Sequence, residues 1–190
     1  MRRSGIRYAP IAALLLLAFA TCPLLAQQAR PVFEFEDFEV NMQRTPDFKD
    51  DSHSDATNDG EWAQFVCEFN VEDREEWLDD VTLRWNILFL DARVDRLVMT
   101  KSIVLTDVEA DGEETQRSVV YLSPRRIRRY CDENGGSIRS SKVVAHIEVM
   151  IANIKVAEFQ YPGRRVAGVP PEWWLRRDVN RIENGLQSRT

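Results

Sequence analysis

Two acidic stretches have the spacing of oxygen ligands in the first half of a calcium-binding loop. Residues 55–60 and 107–112 each place side-chain oxygens at alternate positions and end on a glycine that allows a sharp turn. The twelfth position of such a loop needs a bidentate glutamate, and this sequence has Val66 and Ser118 there. Two interpretations therefore stay open for the acidic loop over residues 44–60: it is a solvated loop, or its carboxylates bind Ca²⁺ together with those of other loops.

Residues that could bind zinc or act as nucleophiles are few and lie far apart in the sequence. The only histidines are His53 and His146, which belong to different predicted elements, and strand alternation turns His146 away from the core. Cys67 points inward by the same alternation, which argues against a Cys67–His146 catalytic pair. No Gly-x-Ser-x-Gly turn is present, and no pair of carboxylates stands out for glycoside hydrolysis. The sequence therefore predicts a protein that is not an enzyme, with no catalytic residues, no cofactor and no assigned metal site.

A run of arginines could bind anions. The four residues are Arg125, Arg126, Arg128 and Arg129. On one short helix they form a compact positive face that could hold a carboxylate-rich partner, or a sulfated or sialylated glycan, by bidentate hydrogen bonds. The alternative is that they form the solvated side of the helix and are partly neutralised by the protein's own carboxylates.

The first 26 residues have the organisation of a secretory signal peptide. Arg2, Arg3 and Arg7 form its positive region, residues 11–20 its apolar core, and residues 24–26 its cleavage site. The apolar run is short for a membrane span, which takes about 20 residues, so we expect no stable span after cleavage.

Cleavage leaves a strongly acidic chain with two cysteines. It removes three arginines and no carboxylate, so 25 − 3 = 22 basic residues remain beside 31 acidic ones and the net charge is 22 − 31 = −9. Such a surface repels phosphate backbones, which argues against nucleic acid as a partner. Cys67 and Cys131 can form a disulfide in an oxidising compartment, or Cys67 can be a buried free thiol. Cys22 leaves lipoprotein processing open as an alternative to simple cleavage.

Seven segments alternate apolar and polar residues with the period of a β-strand. The central segment is residues 81–90, whose inward residues are Val81, Leu83, Trp85, Ile87 and Phe89. The other six segments are residues 31–42, 63–71, 97–108, 115–122, 142–151 and 154–161. Short strands spaced about 10 residues apart predict a mainly β fold, an immunoglobulin-like two-sheet β-sandwich.

Local signals between these segments predict a bulge, a turn and a helix. A switch of the apolar face at residues 36–37 indicates a β-bulge in the first strand. Asp111-Gly112 indicates a hairpin turn between the fourth and fifth strands. Ser123 as N-cap and Pro124 at the first helical position indicate a short helix between the fifth and sixth strands.

The tail after the two prolines at 170–171 has the periodicity of an amphipathic helix. Its apolar residues recur every three or four positions, at Leu175, Val179, Ile182 and Leu186. Trp173 and Trp174 stand at the head of this helix. The helix either packs on its own sandwich or docks into a partner, since paired tryptophans are typical anchors of protein interfaces.

The chain therefore divides into a signal peptide (1–26), an immunoglobulin-like β-sandwich (27–163) and a C-terminal tail with an amphipathic helix (164–190). Its segments follow one another as a Phe-rich first strand, Val-Thr-Leu-Arg-Trp at 81–85, Leu-Ser-Pro-Arg-Arg at 122–126, a hairpin at 147–159 and Trp173-Trp174. In this order they resemble the small secreted immunoglobulin-like proteins found alongside type IV pilus-like gene clusters in Verrucomicrobia. The resemblance implies a pilus-associated or cell-envelope interaction protein with no enzymatic residues. The sequence departs from that of a pilus fibre subunit in one respect, because no pilin-type leader precedes the apolar run.

Two functions follow as hypotheses. The first is an exported, non-enzymatic interaction module in the periplasm or on the surface of a Gram-negative-type bacterium. It would be part of a type IV pilus-like or secretion assembly. Its partners would be other envelope or pilus-like proteins, and a homo-oligomer is compatible with the sequence. The alternative is a glycan-binding β-sandwich module of the cell surface, with or without assistance from calcium.

Overall fold

Two β-sheets form in the part of the chain that the structure describes. The structure is a computed structural model that describes residues 30–44, 60–93, 95–131 and 137–188. The predicted signal peptide, Cys22, and all but the ends of the acidic loop lie outside these residues. The described strands and helix are β1 Val32–Arg44, β2 Glu61–Leu78, β3 Val81–Phe89, β4 Leu97–Leu105, β5 Val108–Asp111, β6 Gln116–Leu122, α1 Pro124–Tyr130, β7 Val143–Ile151, β8 Ile154–Tyr161 and β9 Asn180–Ile182. Single 3₁₀ turns span Ser140–Lys142 and Trp173–Leu175.

The long strand β2 organises the first sheet, and β3 organises the second. β1 pairs with one edge of β2, while β5 and β6 pair one after the other with its opposite edge. The second sheet has the order β8-β7-β3-β4-β9, in which only the β4–β9 pair is parallel. The apolar faces of the two sheets share one core, so the predicted mainly β, two-sheet sandwich with a short helix is confirmed.

Trp85 lies at the centre of that core and has no exposed surface. Its ring lies 6.3 Å from the ring of Phe38 on β1, measured between centroids. The indole Nε1–H donates a hydrogen bond of 3.3 Å to Oγ of Ser118, which lies on β6 in the opposite sheet. A buried indole N–H needs such an acceptor, so this bond ties the centre of one sheet to the edge strand of the other.

The strands follow the predicted alternation closely, except in the predicted fourth strand. The predicted bulge in the first strand is confirmed by a shift of register between Phe35 and Asp37. The predicted fourth strand, however, ends at Leu105, and Val108–Asp111 crosses to the other sheet as β5. Asp107 between them has φ of 54° and makes the corner.

Asp111-Gly112 does not form the predicted hairpin. β5 and β6 run in the same direction along β2 and do not pair with each other. The Asp111 carboxylate accepts hydrogen bonds from the backbone N–H groups of Glu113 (2.8 Å) and Glu114 (3.2 Å), while the Gly112 N–H donates to the Val71 carbonyl at 2.8 Å. These bonds close a local turn, after which β6 continues along β2 in the same direction as β5.

The predicted C-terminal helix is wrong. The described part of the tail, residues 164–188, contains only the 3₁₀ turn and β9, and Leu175 is 66% exposed. One cause is local: Arg176 binds Asp178 through two hydrogen bonds of 2.7 and 2.9 Å, and residues two apart do not face each other on an α-helix. The other cause is the edge of β4. Its backbone N–H and C=O groups need hydrogen-bond partners, and β9 supplies them.

Residues 180–187, which we name the C-terminal clasp, join the two sheets. β9 pairs with β4 in the second sheet, and Gln187 exchanges two backbone hydrogen bonds of 2.7 and 2.8 Å with Tyr121 in the first. Between these points Leu186 is buried in the core, and the Arg126 guanidinium donates to the carbonyls of Asn184 and Gly185. The clasp is thus part of the sandwich and not an appendage to it.

No helix in the described ranges has the length and apolar character needed to cross a membrane.

We expect Ser118→Ala to lower the free energy of unfolding by about 1–3 kcal/mol, because it leaves the buried indole N–H of Trp85 without an acceptor. Urea unfolding measures this change. The matched control is Ser102→Ala, an exposed position on β4, where we expect a change within about 0.5 kcal/mol. In a Trp85→Phe background, which lacks the donor, Ser118→Ala should cost clearly less; an equal cost in both backgrounds would contradict the bond.

We expect Gly185→Ala to destabilise the protein by about 1–3 kcal/mol through overpacking of the clasp. An added Cβ would lie 2.9 Å from the Ile182 carbonyl oxygen and 2.9 Å from Met99 Cβ. Gly163→Ala is the control, since a Cβ there meets nothing within 4 Å. Thermal unfolding compares the two variants, and equal midpoints would mean that the clasp does not pack closely against β4.

Candidate functional site

A second hydrophobic cluster covers the outer face of the second sheet. Three outward side chains of the sheet, Leu88, Val98 and Val144, pack with Trp173 from the tail. Each of the three sits between two inward apolar neighbours, so one end of the sheet is apolar on both faces. A sheet that is apolar on both faces must be covered on both, and the tail supplies the second cover. Val166, Val169, Trp174 and Val179 pack around this cluster.

Residues 162–172, which we name the arch, run from the end of β8 across this face. Between the arch and the β7–β8 side of the sheet is a pocket of about 360 Å³. We call it the arch pocket. Its polar lining residues are Gln160, Arg164, Arg165 and Glu172, and its apolar lining includes Val144, Val166, Val169, Trp173 and Trp174.

A second pocket of about 290 Å³ lies on the β3–β4 side of the arch. Leu88, Val179 and Arg96 contribute to its walls. It shares Val169, Pro170 and Trp173 with the arch pocket, so cavities flank the arch on both sides.

His146 anchors the tail to the sheet. It leaves the main core, as the alternation predicts, yet it is fully buried because the Trp174 ring stacks on it at 3.7 Å with an interplanar angle of 8°. Trp173 meets Trp174 edge-on at 5.7 Å and 89°. The Arg181 guanidinium donates to the Trp174 carbonyl, which further fixes the position of this ring.

The burial of His146 favours its neutral form. Nε2 lies 3.3 Å from a carboxylate oxygen of Glu158, so Nε2 carries the proton and donates it to that acceptor. Nδ1 is buried and has no hydrogen-bond partner among the described residues. Protonation would therefore bury a second N–H without an acceptor.

The pKa values around His146 agree with this geometry. Burial lowers the pKa of His146, and the hydrogen bond to Glu158 and the charge of Glu148 oppose that effect without overcoming it. The pKa of Glu158 is lowered, first by its hydrogen bond from Lys155 at 3.0 Å and then by the one from His146. An ionised Glu158 thus holds a neutral His146 beneath Trp174.

The two tryptophans predicted as partner anchors serve the protein's own packing. Trp173 is 3% exposed and Trp174 is half-buried against His146. Of the two possibilities for the tail, packing on its own sandwich is what the structure contains, although as an extended chain and not as a helix. Trp174 still lines the arch pocket, so it remains within reach of a small ligand.

The four arginines of α1 do not form one free face. Arg126 binds the clasp, Arg129 lies over the Tyr130 ring at 5.1 Å from its centroid, and Arg128 also interacts within the chain. Arg125 is exposed. The cluster therefore acts at least partly in intramolecular contacts.

Cys67 and Cys131 are free thiols, so the disulfide, one of the two predicted states, is not formed. Cys67 is buried in the core, as the alternative predicted, and Cys131 is half-buried after α1. Burial raises the pKa of each thiol to about 12, with smaller contributions from Glu68 and Asp37 at Cys67. Both thiols are thus protonated at neutral pH and are poor nucleophiles.

The half-pattern for calcium at residues 107–112 is occupied by the protein's own groups, because one Asp111 oxygen caps the following turn. Within the described ranges, no group of three or more histidine, cysteine, aspartate or glutamate side chains is arranged to hold a metal ion. The half-pattern at residues 55–60 lies almost wholly outside those ranges.

Comparison with known proteins identifies a family and a shared fold. A protein-family model matches residues 25–189, which is all but the first 24 residues and the last one. No curated protein matches the sequence. A crystal structure of a protein from Akkermansia muciniphila is similar, with a TM-score of 0.62 and 20% sequence identity over 84% of each chain. That organism belongs to Verrucomicrobia, the group to which the sequence resemblance points.

We expect the protein to lose stability as the pH falls below the ordinary histidine pKa of 6.5. The unfolded chain takes up a proton at His146 that the folded chain resists, so the unfolding free energy decreases with falling pH until the lowered folded pKa is passed. Urea unfolding between about pH 7 and pH 5 measures this slope.

His146→Gln should remove this part of the pH dependence, whereas His53→Gln, which changes the other histidine, should retain it. If all three proteins have the same slope, His146 does not carry the effect.

Proposed function

The chain belongs to the protein family whose model matches residues 25–189, and from that premise we propose that it is an exported, non-enzymatic module that acts by protein–protein contact in the cell envelope. Export rests on the signal-peptide pattern of residues 1–26. The place of action would be the periplasm or the surface of a Gram-negative-type bacterium, in a type IV pilus-like or secretion assembly.

The character of the reactive groups supports a role without catalysis. The two thiols are held protonated, and His146 is enclosed by Trp174 and Glu158 and so has no access to a substrate. A general base must reach the proton that it abstracts, and His146 cannot. Contact, and not chemistry, is therefore the function that these side chains favour.

The observation that carries the proposal is the unpaired edge of β1. This strand has 13 residues and, among the described strands, pairs only with β2. Its outer N–H and C=O groups can accept an additional strand from a partner, a common mode of protein recognition. Strand addition also suits an assembly that joins subunits through their sheets.

The charge of β1 indicates the kind of partner. Its exposed acidic residues are Glu34, Glu36, Asp37 and Glu39. Like charges repel, so this edge opposes pairing with the same edge of a second copy. We expect an extended segment rich in lysine and arginine, supplied by another envelope protein.

The alternative function, a glycan-binding module, is supported by a different feature, the arch pocket with its tryptophan and arginine lining. Nothing in the described ranges supports the assistance of calcium, because no suitable group of ligands lies there.

We expect Glu34→Lys combined with Glu39→Lys to reduce recovery of the β1 partner in crosslinking and co-purification from the native cell by about tenfold or more, because reversing two charges turns attraction into repulsion. The fold should persist, since both side chains are exposed. The measurement is quantitative mass spectrometry of crosslinked proteins.

Glu113→Lys combined with Glu183→Lys is the matched control, because it changes the net charge equally at exposed positions outside β1. Its partners should equal those of the unaltered protein. Unchanged recovery with the β1 variant would remove this edge from the proposal. Deletion of the tail does not test the function cleanly, since the clasp completes both sheets.

A further inference from the structure

The arch pocket contains cations without partners. Arg164 and Arg165 are exposed and make no ion pair or hydrogen bond with any described residue. Two other arginines differ, since Arg176 of the tail and Arg96, just before β4, both bind Asp178. In a chain with a net charge of −6, two exposed guanidinium groups without partners line one pocket, and a carboxylate is the kind of group that guanidinium binds bidentately.

The same pocket presents an aromatic face held in a fixed orientation. One face of Trp174 is covered by His146 at 3.7 Å, which leaves its other face and its edge for contact with a ligand in the pocket. The edge-on contact with Trp173 and the hydrogen bond from Arg181 to the Trp174 carbonyl hold this ring in place. A ring that is already ordered loses little entropy when a ligand packs on it.

Two further polar groups set the remaining requirements for a ligand. Gln160 and Glu172 line the pocket, and any ligand that covers them must supply hydrogen bonds in return for those of water. Glu172 adopts φ of 51°, an uncommon conformation for this residue type. This conformation places Glu172 at the start of the 3₁₀ turn that carries both tryptophans.

We propose that the arch pocket binds an acidic monosaccharide unit, with its carboxylate on Arg164 and Arg165, its hydroxyl groups on Gln160 and Glu172, and the C–H face of its ring on Trp174. A hydrocarbon acid leaves Gln160 and Glu172 without partners, and a neutral sugar leaves both guanidinium groups unpaired. The pocket volume of about 360 Å³ lies within the range of about 300–1,000 Å³ for small-molecule sites. The inference gives the glycan-binding alternative a defined site and does not depend on contacts of β1.

The test is a titration of the ¹⁵N-labelled protein with methyl glucuronide, followed through the indole N–H resonances of the five tryptophans. We expect saturable shifts of the Trp174 and Trp173 signals with a Kd on the order of 1 mM or tighter, while the buried Trp85 signal stays in place. Methyl glucoside, which has the same ring without the carboxylate, and acetate, which has the carboxylate without the ring, should each bind at least about tenfold more weakly.

Arg164→Gln combined with Arg165→Gln should weaken methyl glucuronide binding by at least about tenfold, and the matched exposed pair Arg125→Gln with Arg177→Gln should not. Absence of a saturable shift in the unaltered protein overturns the proposal. Equal affinity for methyl glucoside overturns the role of the carboxylate, and equal affinity for acetate overturns the role of the ring. Each of these outcomes is independent of whether β1 binds a partner.

Discussion

A single buried indole group constrains the relation between the two sheets. Trp85 is the largest side chain in the core, and its N–H donates a hydrogen bond across the sandwich to Ser118. The aromatic side chains around it follow from this placement: Phe38 packs at its side, and Tyr161 stacks on Phe38 at 4.6 Å. Because an unsatisfied N–H at this depth is costly, β6 cannot slip along β2 without losing the bond. The register of the first sheet thus depends on a group of the second.

Much of this architecture could be predicted from the sequence, because period-two alternation is a local property. The alternation predicts that residues 81–90, 63–71 and 142–151 form the inner strands, and the structure confirms all three, with Trp85 at the centre. The bulge at residues 36–37 was visible as a change of parity. These features can be predicted without knowing which strands pair with each other.

Local spacing fails to predict the structure where segments distant in the sequence pair with each other. Leu175, Val179, Ile182 and Leu186 have helical spacing, but the edge of β4 takes residues 180–182 into a sheet some eighty positions away in sequence. The paired tryptophans, Trp173 and Trp174, indicate an anchor, but the sequence does not show that the surface they pack on is the protein's own sheet. Around Leu88, Val98 and Val144, consecutive residues are apolar, so both faces of the strand are apolar there. This pattern was the one sequence signal that the outer face of the second sheet is covered. Nothing in the local sequence marked Arg164 and Arg165, because only the fold brings them to Trp174.

The clasp has a consequence for the order in which the chain can fold during synthesis. Residues 180–187 supply an edge strand to one sheet and a bridge to the other, so the preceding 150 or so residues lack these contacts until this segment emerges from the ribosome. The hydrogen bonds that complete both sheets therefore depend on some of the last residues to be synthesised. A nascent chain of this kind completes its sandwich only when synthesis is nearly finished.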